Sequence, residues 1–197
     1  MATISAEEEC WMKEFHLNTQ SQETSKPPQK ANWEIRLAEM DFIKWRSTLN
    51  EWCLFFDGAS KGNPGQAGGG GIIFEPTGKI HLSYAWGLGH ASNNQAEILA
   101  LWQGLIQGRN LNIQKINIFG DSRLIIKAVH TKKITSDIHL GQIFRKVSLL
   151  LSHFRIYKAQ HVLRNLNSLA DAEANRGALL NKNQLMVNGG SSFCPIP

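Results

Sequence analysis

Long apolar runs are missing from this chain of 197 residues. None approaches the ~20 residues that a bilayer-spanning helix requires. The opening MATISAEEECWMKEF carries three consecutive glutamates where a secretory signal would be apolar. The expected address is therefore inside the cell, in nucleus or cytoplasm. Cysteine is also scarce: Cys10, Cys53 and Cys194 are odd in number and scattered. Neither a disulfide framework nor zinc-ligand spacing follows from them.

Acidic residues are the third scarcity. Residues 52–197 hold seven acidic and fifteen basic side chains, a net of +8, whereas residues 1–51 hold nine acidic and six basic. A basic domain suits a polyanion such as nucleic acid, and equally suits a solvated surface. The seven acids are Asp57, Glu75, Glu97, Asp121, Asp137, Asp171 and Glu173. With so few, their positions are informative.

What is there begins with Trp52 to Gly65, WCLFFDGASKGNPG. Trp52 to Phe56 is a compact apolar run of the kind a buried strand shows. It ends at Asp57, and Gly, Ser, Asn and Pro then predict a turn. A carboxylate at the lip of such a strand is costly unless it binds something, and a metal ion is the natural partner. Two further strands are expected over 68–75 and 79–88, joined at Pro76-Thr77-Gly78. A long helix is expected over 92–108, with Ser92, Asn93 and Asn94 as N-cap candidates. A strand over 115–119 ends at Gly120-Asp121. Helices are expected over 122–130, 138–152 and 168–180, with a strand over 154–162 between the last two. The order predicts an α/β fold in which a mixed five-stranded sheet carries helices on its faces. Domain 52–180 would be preceded by an extension, 1–51, with a polar linker at 18–31 and amphipathic helical spacing over 33–49. A turn-like tail, 181–197, would follow. No chemistry is assigned before Trp52.

Two chemistries compete for the first turn. Gly58-Ala59-Ser60-Lys61-Gly62 fits G-x-S-x-G, and Ser60, Asp121 and His161 follow in the order of an α/β-hydrolase triad. That elbow needs a helix directly after the serine, and Asn63-Pro64-Gly65 with a glycine run follows instead. The carboxylates offer the other chemistry. Asp57 and Asp121 end strands, while Glu97 and Asp171 stand in first helical turns, so all four can meet at one sheet edge. Four gathered carboxylates resist joint ionisation, and two divalent cations with oxygen ligands, Mg²⁺ or Mn²⁺, would relieve this. Each acid also has a plainer reading. Glu97 could close a capping box with Asn94. Asp171 could answer a helix dipole, and Asp121-Ser122 could cap a helix. A lone His161 on a strand is more often structural.

Four segments in order, FFDGASKGNPG, ASNNQAEILAL, FGDS and HVLRNLNSLADAEAN, resemble the ribonuclease H domain, in particular plant ribonuclease H-like proteins related to retroelement polyproteins. The resemblance covers roughly residues 52–180. It implies the ribonuclease H fold and metal-dependent hydrolysis of the RNA strand in RNA–DNA hybrids, leaving 5′-phosphate and 3′-hydroxyl ends. Asp57, Glu97, Asp121 and Asp171 would be the metal ligands. His161 would occupy the position of the family's mobile histidine, assisting proton transfer or product release, and Asn167 matches the family pattern. Gly58, Ser60, Asn63, Asn93, Asn94 and Ser122 would contact substrate, the first five lining the minor groove where RNA 2′-hydroxyls are read. The chain departs from members that carry a basic, tryptophan-bearing protrusion. Only residues 130–141 are available for one, so Lys127, Lys132, Lys133, Arg145 and Lys146 would supply phosphate contacts. No reverse-transcriptase, integrase or zinc-knuckle segment is found, so a detached domain or a fragment is expected, acting as a monomer. The alternative is a nucleic-acid-binding module of retroelement origin with little turnover.

Overall fold

The computed structural model describes residues 33–133 and 137–189. The helix considered for residues 1–17 and the linker at 18–31 lie outside them. Helix α1 spans Glu39–Ser47 and strand β1 Trp52–Gly62. Then come β2 (Gly65–Phe74), β3 (Ile80–Ala91), α2 (Asn93–Asn110), β4 (Lys115–Gly120) and α3 (Arg123–Thr131). Helix α4 (Ile138–Leu151), β5 (Ile156–His161), a 3-10 turn at Arg164–Asn167, α5 (Ser168–Gly177) and β6 (Leu185–Gly189) complete the order.

The sheet has six strands, ordered β5-β4-β1-β2-β3-β6, rather than the five expected. β1, β2 and β3 form the antiparallel meander, and β4 and β5 add in parallel on the β1 side. The sixth strand lies within the segment expected to be a turn-like tail. It pairs antiparallel with β3, Trp86 opposite Leu185 and Leu82 opposite Gly189. Without it β3 would be an open edge.

The compact run that opens β1 is buried on both faces, as an uninterrupted apolar stretch in an α/β sheet should be. Leu54 and Phe56 point into a core built with α2, α3 and α4. Cys53 and Phe55 point to the opposite face, where Phe42 of α1, Phe119 and Val162 meet them. Phe55 stacks on Phe119 at 4.7 Å between centroids, and Phe42 stands edge-on to both.

The Gly-Ala-Ser-Lys-Gly segment expected to be a turn is strand. β1 continues to Gly62, and Asp57 pairs with Gly70, Ser60 with Ala67. Small residues serve here because helices crowd both faces. A Cβ on Gly68 or Gly70 would fall within about 2 Å of the α5 backbone, and one on Gly69 would meet Ala100 of α2 at 3.2 Å. The alternation of faces follows the period-two geometry of the strand.

Ahead of β1, helix α1 is shorter than the spacing over 33–49 predicts. Trp33 to Ile35 instead pairs with the end of β5, a parallel bridge joining Glu34 to His161. The described residues from Trp33 onward belong to one compact unit. Among the described residues no helix is long and apolar enough to cross a membrane.

Candidate active site

Register brings the acids together. β1 pairs with β4 through Phe55 and Phe119, so Asp57 and Asp121 leave the same side of the sheet two residues further on. Gly58 lets α2 close over this point, because a Cβ there would sit 2.1 Å from the Glu97 backbone nitrogen. One carboxylate oxygen from each of Asp57, Glu97 and Asp121 consequently lies within 4.8 Å of the other two.

Helix α2 starts as its sequence dictates, although the cap differs from the one weighed for Glu97. Ser92 is the N-cap, accepting from the Gln95 N–H at 3.3 Å, while the Gln95 side chain accepts from Ser92 N at 2.9 Å. The capping box is therefore closed by Gln95, and Glu97 stands free for the acidic cluster. One of its oxygens, Oε2, is buried with no hydrogen-bond partner. Nor does Asp121 cap α3. Ser122 is that N-cap and its side chain makes no capping bond; Asp121 Oδ1 instead accepts from Asn167 Nδ2 at 3.1 Å.

The electrostatics are those of an acidic cluster short of cations. Asp57 is only 5% exposed. Burial first, then the charges of Asp121 and Asp171, push its carboxyl up to about 7, against the pull of the Gly58 N–H at 2.8 Å and of Arg164. Burial, Asp57 and Asp121 likewise hold Glu97 well above the usual carboxylate range. A buried, unpartnered carboxylate oxygen beside two more carboxylates is an all-oxygen donor set that suits a hard divalent cation. The residues fit such an ion.

Asp171 is not in this cluster. Arg164 Nη2 holds its Oδ1 at 3.0 Å, and Asn175 donates to its Oδ2 at 2.9 Å. Neither Arg164 nor Asn175 was read as functional in the sequence. Asn175 could have been found from its position one helical turn after Asp171. Arg164 lies before the helix, in the 3-10 turn, where helical spacing gives no guide.

His161, on the last residue of β5, places Nε2 3.0 Å from the Asp121 backbone carbonyl. It touches the backbone of the acidic cluster and belongs to none of its carboxylate contacts. The buried Asn167 also donates to Phe56 O at 3.0 Å, tying the β1 end to Asp121.

The other substrate-contact candidates divide. Asn63 accepts from Asn93 N at 3.0 Å, fastening the β1–β2 turn to the start of α2, and Asn93 and Asn94 are exposed there. Ser60 is engaged internally, its hydroxyl lying 2.8 Å from Ala91 O and 2.5 Å from Gly62 O. With β1 running through it and no helix after it, Ser60 lacks the elbow that a nucleophilic serine requires. Gly58 faces the α2 backbone. Ser122 is half-buried beside Asp121. The protrusion segment includes residues 134–136, which lie outside the described ones.

This architecture has relatives. Ribonuclease HI of Halobacterium salinarum is 36% identical over 121 residues, 61% of each chain. The crystal structure of the halobacterial RNase H1 superposes with a TM-score of 0.62 at 35% identity, over 64% of this chain and 96% of that one. The N-terminal RNase H domain of Rv2228c from Mycobacterium tuberculosis gives 0.63 at 27% identity, over 65% and 98%. A ribonuclease H-type protein of Arabidopsis thaliana is 32% identical over 135 residues, 68% of this chain and 22% of that protein. The chain thus spans between about a fifth and three fifths of the length of the curated relatives it matches. The reverse transcriptase-like family profile matches residues 55–177, which include all four of the acids considered above. The chain belongs to the reverse transcriptase-like family and carries a ribonuclease H-like domain.

Proposed function

We propose that this domain hydrolyses the RNA strand of RNA–DNA hybrids with Mg²⁺ or Mn²⁺, leaving 5′-phosphate and 3′-hydroxyl ends. The observation that carries the proposal is the convergence of Asp57, Glu97 and Asp121 oxygens within 4.8 Å, with a buried Glu97 oxygen unpartnered. These three side chains would hold the metal, with Asp171 as a fourth ligand of a two-ion site. Bound divalent cations supply an activated water and stabilise the leaving 3′-oxygen.

The chain's own groups prepare that chemistry. The Gly58 N–H donates to Asp57 Oδ1, and the Asn167 side chain donates to Asp121 Oδ1, so both carboxylates are oriented by the chain itself. A carbonyl can only accept, so His161 Nε2 carries a hydrogen toward Asp121 O. In its neutral form Nδ1 is then free to take a proton. Exposed Asn93 and Asn94 at the α2 N-terminus are suited to phosphate and 2′-hydroxyl groups. The names of the halobacterial and mycobacterial relatives support ribonuclease H chemistry, the Arabidopsis likeness supports a plant origin, and the reverse transcriptase-like profile supports a retroelement-related one. Such substrates form where nucleic acids are copied, which favours the nucleus or cytoplasm.

The test is cleavage of a labelled hybrid in Mg²⁺ and in Mn²⁺, beside duplex DNA and duplex RNA. Hybrid-specific cutting that falls more than ~100-fold in Asp121→Asn is expected. Cutting in the presence of chelator, or unchanged by that substitution, would refute the proposal.

A second reading, a nucleic-acid-binding module with little turnover, is favoured by one observation: Asp171 is held by Arg164 and Asn175 and stands outside the group of three carboxylate oxygens. Replacing Arg164 with alanine releases Asp171. A several-fold fall in the Mn²⁺ concentration that half-maximally stabilises the protein, read by thermal shift, is expected if Asp171 serves as a ligand. An unchanged midpoint, with hybrid binding and no cutting, would favour the module.

A further inference from the structure

We propose that Trp33 to Ile35 forms a clasp that holds His161 in its working position, so that the segment ahead of β1 is part of the catalytic apparatus. The proposal rests on the hydrolytic reading of the site for its activity test and on the geometry alone for its other test.

Three contacts from three kinds of group converge. The His161 backbone is bonded on both sides by the arm: its N–H donates to Trp33 O at 2.8 Å, and its carbonyl accepts from Ile35 N at 2.8 Å. The Trp33 ring meets the His161 ring edge-on, 6.4 Å between centroids, and stacks on His130 of α3 at 5.7 Å. Glu34, whose side chain is 16% exposed, pairs with Arg123, the first residue of α3 and two beyond Asp121. The arm therefore grips both segments that leave the sheet at the acidic cluster: the β5 end carrying His161 and the turn carrying Asp121.

Consequences follow for the imidazole. Its backbone is fixed by the bridge, Trp33 packs edge-on to its ring, and Nε2 is committed to Asp121 O. Both ends of the side chain are thus specified, and Nδ1 remains as its free nitrogen. The arm thus fixes the backbone from which this side chain works, and modest displacement of a proton-transfer group costs rate steeply. Trp33 is a positioning residue here, acting through His161. Its ring also packs against the core shared with α3, which ties the arm to the body of the domain.

The full-length chain with Trp33→Ala, Trp33→Phe, His161→Ala and the double substitution Trp33→Ala/His161→Ala tests this. Hybrid cleavage is measured well below each melting temperature. Trp33→Ala is expected to lower kcat about tenfold with KM unchanged, and Trp33→Phe to restore most of it. Adding Trp33→Ala to His161→Ala is expected to cause no further fall. Equal effects in the two backgrounds, or no fall in kcat, would overturn the proposal. In parallel, the His161 Nε2–H proton resonance is observed by NMR in the metal-free, substrate-free protein. It should be present in the native sequence and broadened or lost in Trp33→Ala. Persistence of that resonance with only a lowered melting temperature would make the arm a stabilising strap and overturn the proposal. The resonance decides the clasp even if the native protein cuts no hybrid, an outcome that would refute the hydrolytic reading alone.

Discussion

Asp57→Asn is expected to abolish cleavage and, without divalent metal, to raise the melting temperature at pH 8. The two effects have one cause. The Asp57 carboxyl ordinarily titrates near 3.8, and burial followed by the charges of Asp121 and Asp171 moves it to about 7 in the fold. Below pH 3.8 it is protonated whether folded or not, and it costs nothing. As pH rises from there toward 7 the unfolded chain ionises first, so stability falls. Above 7 the full cost is present, on the order of 4 kcal/mol for a displacement of roughly three pH units. Asparagine keeps the shape and has no charge to bury. At about 2–4 °C per kcal/mol for a chain of this size, the variant should melt roughly 8–16 °C higher at pH 8 and match the native protein near pH 4. Divalent metal should stabilise the native protein and leave the variant nearly unchanged. Melting curves at the two pH values, with and without Mg²⁺, check this. A variant less stable than the native protein at pH 8 without metal would show that some other group answers the Asp57 charge.

The second large effect is expected at Gly58. An alanine there would place Cβ 2.1 Å from the Glu97 nitrogen and 2.3 Å from the Ala96 carbonyl carbon. Both are backbone atoms in the first turns of α2, so no side chain can swing away. The helix must lift from the sheet by about an ångström or more. Buried neighbours such as Leu54, Ile98 and Leu101 would lose close contact, and Glu97 would move from Asp57. Overpacking against a backbone typically costs about 1–3 kcal/mol, and more when nothing can yield. A loss of ~3 kcal/mol or more in chemical denaturation is expected for Gly58→Ala, with cleavage falling further than the folded fraction. A variant of native stability that still cuts would show that α2 can shift without disturbing the acids.

Much of this site was legible because its chemistry is local to the ends of elements. An apolar run leading into Asp57, a strand followed by Asp121 and a capped helix bearing Glu97 all show in short windows, and their convergence follows from sheet topology. The Ser92 to Gln95 spacing was equally readable, and it frees Glu97 from the role of cap. What could not be read depends on partners far along the chain. Trp33 sits at roughly helical spacing with Leu37, Met40 and Trp45, yet the open edge of β5, more than a hundred residues on, takes the arm as a strand partner. The Gly58 to Gly62 segment has turn composition, and only its pairing with β2 makes it strand. Asp171 has the sequence position of a ligand, but its orientation is decided by Arg164, a surface side chain whose direction no periodicity encodes.

The glycines of β2 carry a consequence for how this domain can vary. Core positions such as Ile73 or Leu101 can exchange one apolar shape for another, because neighbouring side chains can repack around a changed volume. Gly68 and Gly70 have no such latitude, since what lies above them is the α5 backbone itself. Even one methyl group would move the helix that carries Asp171. The run is thus closed to drift by volume rather than by chemistry. A stretch that looks like the blandest part of the sequence should therefore tolerate change as poorly as the carboxylates do.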